Sequence, residues 1–460
     1  MPRPPERSDT IPGMRIWCWT AVLCAAFVHA SYAATPFVEG KGDAVFFRSF
    51  EDDSGGFYVA WTNEEAGKLI GLCAQHIDPR GQSQWGDAGL CITARLASAK
   101  DWHGLADGRG GMMLFWDETD GVHAKRFHPG SAQERPGNSI LVSTSIALQP
   151  DAVADAVGGT LAVWCKPLPS GRSVLMAQRL DAEGKPVWPR GGIRVSLRAS
   201  HQTNPRVIYD NVSGMIVAWR DEVNSASELR VQRIDFQGNR LWTLEGLKVT
   251  APMGQSEYPQ IAPLGTGEAV MAWTGSENQT NQIYLQKAGP DAALKWGTMK
   301  LASSSPAVYT RWNPLLLGDE NGGTWIAWED FRNQVNYLIQ LNHLHGDGQS
   351  PWPNGEIALA PFSGDQGKAA MTHDGKDGVW VAWIDNRLAT IGLYIQEVDG
   401  SGNRLQGKTG RLVADKLNKP SRPQLVALGT GKSAVVWADR PKKGQWALFW
   451  SFVQQPSPQQ

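Results

Sequence analysis

The chain has 460 residues, 42% of them apolar, and 44 basic against 45 acidic side chains leave a formal net charge of −1. That balance gives no electrostatic case for nucleic acid or for an anionic membrane surface. The length would ordinarily suggest two or three domains, while 50 glycines fit an all-β chain rich in turns.

Residues 1–34 read as a signal peptide. Arg15 precedes 15 mostly apolar residues (IWCWTAVLCAAFVHA) and then SYAAT, which places cleavage near Ala33. The run is short for a membrane span. A secreted or periplasmic product with no transmembrane segment in the mature chain is therefore expected, monomeric by default.

From residue 35 to residue 453 the chain repeats itself. In the copy at 205–249, PRVIY, MIVAW, LRVQRID and GLKVT are short β-rich runs separated by turn chemistry. The tryptophan of the second run recurs as Trp61, Trp116, Trp164, Trp219, Trp273, Trp328, Trp383 and Trp437, at spacings of 48 to 55 residues. A proline stands 14 residues before it in five copies, Pro150, Pro205, Pro259, Pro314 and Pro423. A third-strand glutamine follows in six: Gln75, Gln178, Gln232, Gln286, Gln340 and Gln396. A short strand cannot bury a core alone, so such units stack. The fold class is all-β: an eight-bladed β-propeller of four-stranded antiparallel blades.

The second copy is short, carries Lys125 where others have glutamine, and lacks the hairpin motif described below. Cys73 and Cys91 flank a hairpin of the first copy, placed to bridge or to remain two thiols. The eighth copy ends with 447–453 (ALFWSFV) and then the polar tail 454–460, with no fourth strand. Residues 35–39 (TPFVE) lie in the fourth-strand register at the other end. The propeller is thus expected to be closed by the N-terminal strand, which removes a free edge.

The hairpins Asp78–Gly81–Trp85, Asp181–Gly184–Trp188 and Asp235–Gly238–Trp242 resemble the tryptophan-docking motif of quinoprotein dehydrogenases and of eight-bladed outer-membrane assembly lipoproteins. That resemblance implies an indole packed on the next blade. It does not extend to the cofactor, since the adjacent cysteines of the dehydrogenases have no counterpart here and no cofactor is expected. In its GG-x-x-VAW, D-x-R and QR-x-D elements the chain looks like the long-repeat secreted bacterial propellers.

Candidate chemistry lies in the loops from second to third strand and from fourth strand to the next blade, which share one face. Arg311, Trp312, Asp330, Arg332, Asp385, Arg387, Asp439 and Arg440 are the candidate ligand-binding residues there. Converging arginines would favour an anionic glycan or a carboxylate-bearing peptide. The competing reading is that Asp and Arg at fixed offsets tie the blades together. His343, His345 and Asp347 have metal-like spacing but sit at a structural turn, so no metal is expected. The expected function is a binding or scaffold propeller with a protein or carbohydrate partner. The alternative is a sialidase-like hydrolase or polysaccharide lyase, which would need two carboxylates, or a Tyr–Glu pair, in one cleft off the repeat register.

Overall fold

The computed structural model describes residues 36–454 except 42–43, 66–67, 97, 99, 134–138, 146, 224–225, 251–255, 278–279, 298–299, 306–309, 320, 333, 362–363, 388–389 and 430. The expected signal peptide lies outside the described residues, as does the tail beyond Gln454. Among the described residues no helix is long and apolar enough to cross a membrane.

Eight four-stranded antiparallel sheets follow one another, and in seven of them the strand order is the chain order. In blade 4 the strands are His201–Tyr209, Gly214–Val223, Ala226–Asp235 and Leu247–Lys248. Blade 8 is built differently. Its Gln424–Ala427, Lys432–Asp439 and Gln445–Gln454 are completed by Val38–Lys41 from the other end of the chain. Val38 lies opposite Leu448 and Lys41 opposite Gln445, so the ring closes by the N-terminal strand a few residues later than TPFVE suggests. Gly40 is required there: a Cβ would sit 2.3 Å from the Trp446 ring.

Each second strand is apolar on both faces because each blade is sandwiched between two others. Ile216, Ala218 and Trp242 of blade 4 pack with Ala269, Met271 and Trp273 of blade 5. All eight repeat tryptophans are buried. Four of the five recurrent prolines fall in breaks of the inner ladder, where the register skips between Leu148 and Asp151, Thr203 and Arg206, Glu257 and Gln260, and Trp312 and Leu315, while Pro423 stands just before the first strand of blade 8. A residue without an N–H costs nothing at a bulge.

The glutamines staple the outer hairpin. Gln178, Gln232 and Gln286 each accept the amide of the hairpin tryptophan through Oε1, while Nε2 donates to a carbonyl of the same hairpin. The tryptophans then reach the next blade. The indoles of Trp85, Trp188, Trp242, Trp296 and Trp352 donate to carbonyls of Pro129, Phe236, Pro290, Gly346 and Gly400 at 2.9–3.3 Å. In blade 2 a short 3-10 turn, Pro129–Gln133, replaces the hairpin but still receives Trp85. Cys73 and Cys91 are direct cross-strand partners and both are free thiols.

Candidate functional site

The residue two beyond each repeat tryptophan lies at the end of the second strand or within two residues of it. In four blades it is an acid that caps the indole, whereas in blade 8 Asp439 instead accepts the Asn418 and Lys419 amides and the buried Trp437 indole has no acceptor among the described residues. Trp116, Trp219, Trp328 and Trp383 donate to Glu118, Asp221, Asp330 and Asp385 at 2.9–3.1 Å. Where it is Lys166 or Gly275, the buried indoles of Trp164 and Trp273 have no hydrogen-bond acceptor among the described residues. The recurrent acids at this position therefore have a structural task before any other.

Asp330 is fully buried and receives Arg311 Nε at 3.0 Å and Arg332 Nη2 at 2.7 Å. Burial raises its affinity for a proton, but Arg332, Trp328 and Arg311 outweigh that and hold the carboxyl below its ordinary range. Arg311 is itself buried, bonded also to Gln282 of blade 5 and to the Ser305 carbonyl. Arg332 bridges onward to Glu356 at 2.6 Å. Asp385 takes Arg387 Nη2 at 2.5 Å, and that guanidinium lies 3.9 Å from the Tyr394 ring centroid. Asp439 accepts the amides of Asn418 and Lys419, and the Arg440 carbonyl accepts from Asn418. Trp312 is half-buried on the inner strand, opposite Glu329. Most of these pairs lie within one blade. The arginines of this set that the structure pairs most closely, Arg311, Arg332 and Arg387, are matched by carboxylates of the protein.

On the same face, over the seam of blades 6 and 7, lies a groove of about 390 Å³. Glu329, Asp365, Lys368, Asn386 and Arg422 supply its polar lining, with Tyr337 and Ile384 as its larger apolar surfaces. Asp385 is the one member of the sequence-derived set among its lining residues. Glu329 is fixed at both oxygens: Oε1 accepts the Lys368 amide and Oε2 the Asn313 side-chain amide, each at 2.9 Å. Asn313 and Lys368 sit at the inner-strand bulges with φ of 51° and 55°. For a non-glycine residue this left-handed backbone costs about 1 kcal/mol. At Lys368 it turns the amide out of the ladder and across the blade seam to Glu329. The Lys368 ammonium donates to the Pro420 carbonyl at 2.6 Å, and burial together with the Arg422 guanidinium lowers its proton affinity.

These residues do not recur from blade to blade, so the periodicity of the sequence does not mark them. The position after the repeat tryptophan reads Thr62, Asp117, Cys165, Arg220, Thr274, Glu329, Ile384 and Ala438. Its side chain points away from the tryptophan's side of the sheet, and its variability was the available signal.

Other candidates are weaker. A larger groove of about 580 Å³ runs along blades 5 and 6, with Lys300 as the sole ionisable lining residue described. His343 bonds Asp319 at 2.6 Å and stacks on Trp325, while Asp347 accepts the Gln349 amide, so the three residues of that motif do not converge on one point. Among the described residues Glu118, Asp120 and His123 lie close enough to share an ion. Glu118, however, already holds Trp116 and Thr93, and His123 bonds Asp120 and Ser139.

No family model matches the chain, and no curated protein matches it. Among solved structures, an ulvan lyase described as a new family of polysaccharide lyase shares 8% identity over 75% of this chain and 90% of its own, with a TM-score of 0.45. A protein of unknown function from Dyadobacter fermentans shares 9% over 93% and 99%, also at 0.45. An α-L-arabinanase of Penicillium chrysogenum complexed with arabinobiose shares 12% over 67% and 93%, at 0.37. Likeness at this level bears on neither substrate nor site.

Proposed function

We propose that this chain is an exported binding propeller that takes a glycan in the groove over blades 6 and 7. The observation that carries this reading is the groove's lining: fixed acceptors, cationic donors and an aromatic side chain converge at positions outside the repeat register. Its volume falls within the range of small-ligand sites, about 300–1,000 Å³. Glu329, tied on both oxygens, is an oriented acceptor for sugar hydroxyls rather than a carboxyl free to shuttle a proton. The strained bulges at Asn313 and Lys368 preorganise that acceptor. The Asp/Arg pairs beneath act as the frame, with Asp385 reaching the groove floor.

A second reading keeps the same face but makes it an enzyme, a hydrolase or lyase acting on polysaccharide. What favours it is that Glu329, Asp365 and Tyr337 all line one groove, off the repeat register.

The test is a glycan array probed with the purified protein, followed by calorimetry on the best ligand. Glu329→Gln should weaken binding by about tenfold or more, the cost of a charge-assisted hydrogen bond, with an unchanged melting temperature. Absence of any glycan ligand would sink the proposal. New reducing ends or unsaturated products, formed by the wild type and lost in Glu329→Gln, would replace it with the second reading.

A further inference from the structure

The residue 13 positions before the repeat tryptophan falls in the inner strand, directly opposite the residue that precedes that tryptophan. In blades 1 to 4 it is Arg48, His103, Asp151 and Arg206. In blades 5 to 8 it is Gln260, Leu315, Ala370 and Gln424, none of them charged. The ring of inner strands therefore has one polar, charged arc and one neutral arc.

Side chains at this position lean towards the following blade. Gln424 accepts the Ser49 amide of blade 1 at 2.8 Å, and Asp151 accepts the Val207 amide of blade 4 at 2.9 Å. His103 Nδ1 lies 3.3 Å from Asp151 Oδ1 of blade 3, and the Arg48 guanidinium is 6.0 Å from the Trp102 ring of blade 2. The Asp151 carboxylate thus already accepts a backbone amide, with the His103 imidazole beside it.

The two guanidiniums are not matched in this way. Among the described residues Arg48 makes no ion pair or hydrogen bond, and Arg206 bonds only the neighbouring Pro205 carbonyl at 3.2 Å. His103 is buried, and its Nδ1 has no partner in hydrogen-bonding geometry. Burial, then the charges of Arg48 and Arg206, holds its pKa well below the ordinary histidine value, so the imidazole is neutral. Two cations facing one committed anion leave the arc with net positive charge in a partly desolvated place. Such a place costs free energy unless a counter-charge occupies it.

We propose that the arc formed by Arg48, His103, Asp151 and Arg206 binds a small oxyanion, a carboxylate or phosphate group held by the two guanidiniums. It is separate from the groove over blades 6 and 7 and does not depend on it. The chemistry fits: guanidiniums grip planar or tetrahedral oxyanions through paired N–H donors, and His103 offers a neutral imidazole edge beside them.

The experiment is calorimetric titration of the purified protein, in low salt, with inorganic phosphate in one arm and galacturonate in the other. Saturable one-site binding in either arm is expected, and the tighter arm identifies the group. Arg206→Gln, at an exposed position, should weaken it by about tenfold or more, and Arg48→Gln likewise. Arg80→Gln, a surface arginine paired to Asp78, serves as control and should bind as wild type. No saturable binding in either arm would overturn the proposal. So would equal weakening by all three variants, which marks diffuse attraction, or undiminished binding in Arg206→Gln. Should Arg48→Gln fail to fold, the Arg206 variant decides alone.

Discussion

Asp117 shows what a single position off the repeat register can do. It follows Trp116, is buried, and accepts the Ala147 amide at 3.2 Å. Burial pushes its carboxyl up to about 6, with the Ala147 amide opposing and Asp101 adding repulsion. The folded state therefore prefers the protonated acid. Stability from this group is complete below the unfolded value of 3.8 and is lost as pH rises through about 6. Asp117→Asn keeps the acceptor for Ala147 and removes the charge. Allowing for solvent screening, it should stabilise the protein by on the order of 1 kcal/mol at pH 8 and by little at pH 4. Denaturant midpoints at the two pH values check this; an equal gain at both would refute the electrostatic account. Asp330 behaves oppositely, because it finds an indole and an arginine waiting in its own blade and its carboxyl is held below the ordinary range.

At the scale of elements, the outer hairpin is held by one side chain below it and one blade beside it. Gln232 joins the third strand to Trp242 and Thr243, and Trp242 passes the tie on to Pro290 of blade 5. Replacing Gln232 with Leu conserves volume but leaves buried backbone groups unpaired, so a loss of about 1–3 kcal/mol is expected in chemical denaturation. An unchanged midpoint would mean that tryptophan packing alone holds the hairpin. The same logic accounts for the exceptions. Blade 7 carries Gln406 at the hairpin-tryptophan position, and its neighbour, blade 8, has no third-to-fourth hairpin on which an indole could dock. Blade 1 instead receives Trp450 of blade 8 against Gly81, whose φ of 85° leaves that face of the turn bare.

For the whole molecule, closure is the decisive event. Phe37 and Val38 pack in the core shared by blades 8 and 1, with Trp446, Leu448 and Phe57. Deleting residues 36–41 removes a four-residue strand and its buried valine, at a cost of about 4 kcal/mol from lost burial and pairing. It also exposes the long edge of Gln445–Gln454. A lower melting temperature and concentration-dependent association are expected; an unaltered melt by calorimetry would show that blade 8 does not need its borrowed strand. The sequence alone settled the architecture, since eight tryptophans in register demand eight equivalent sheets and a missing last strand demands a donor. It could not settle the site. Periodicity reports what every blade must do, and Asp330, Arg332, Asp385 and Arg387 recur because they frame a strand end. Glu329, Lys368, Arg48 and Arg206 come from four different blades, and each is unremarked in its own repeat. Only the curvature of the ring, which brings side chains of different blades together, decides which of them share a groove or an arc.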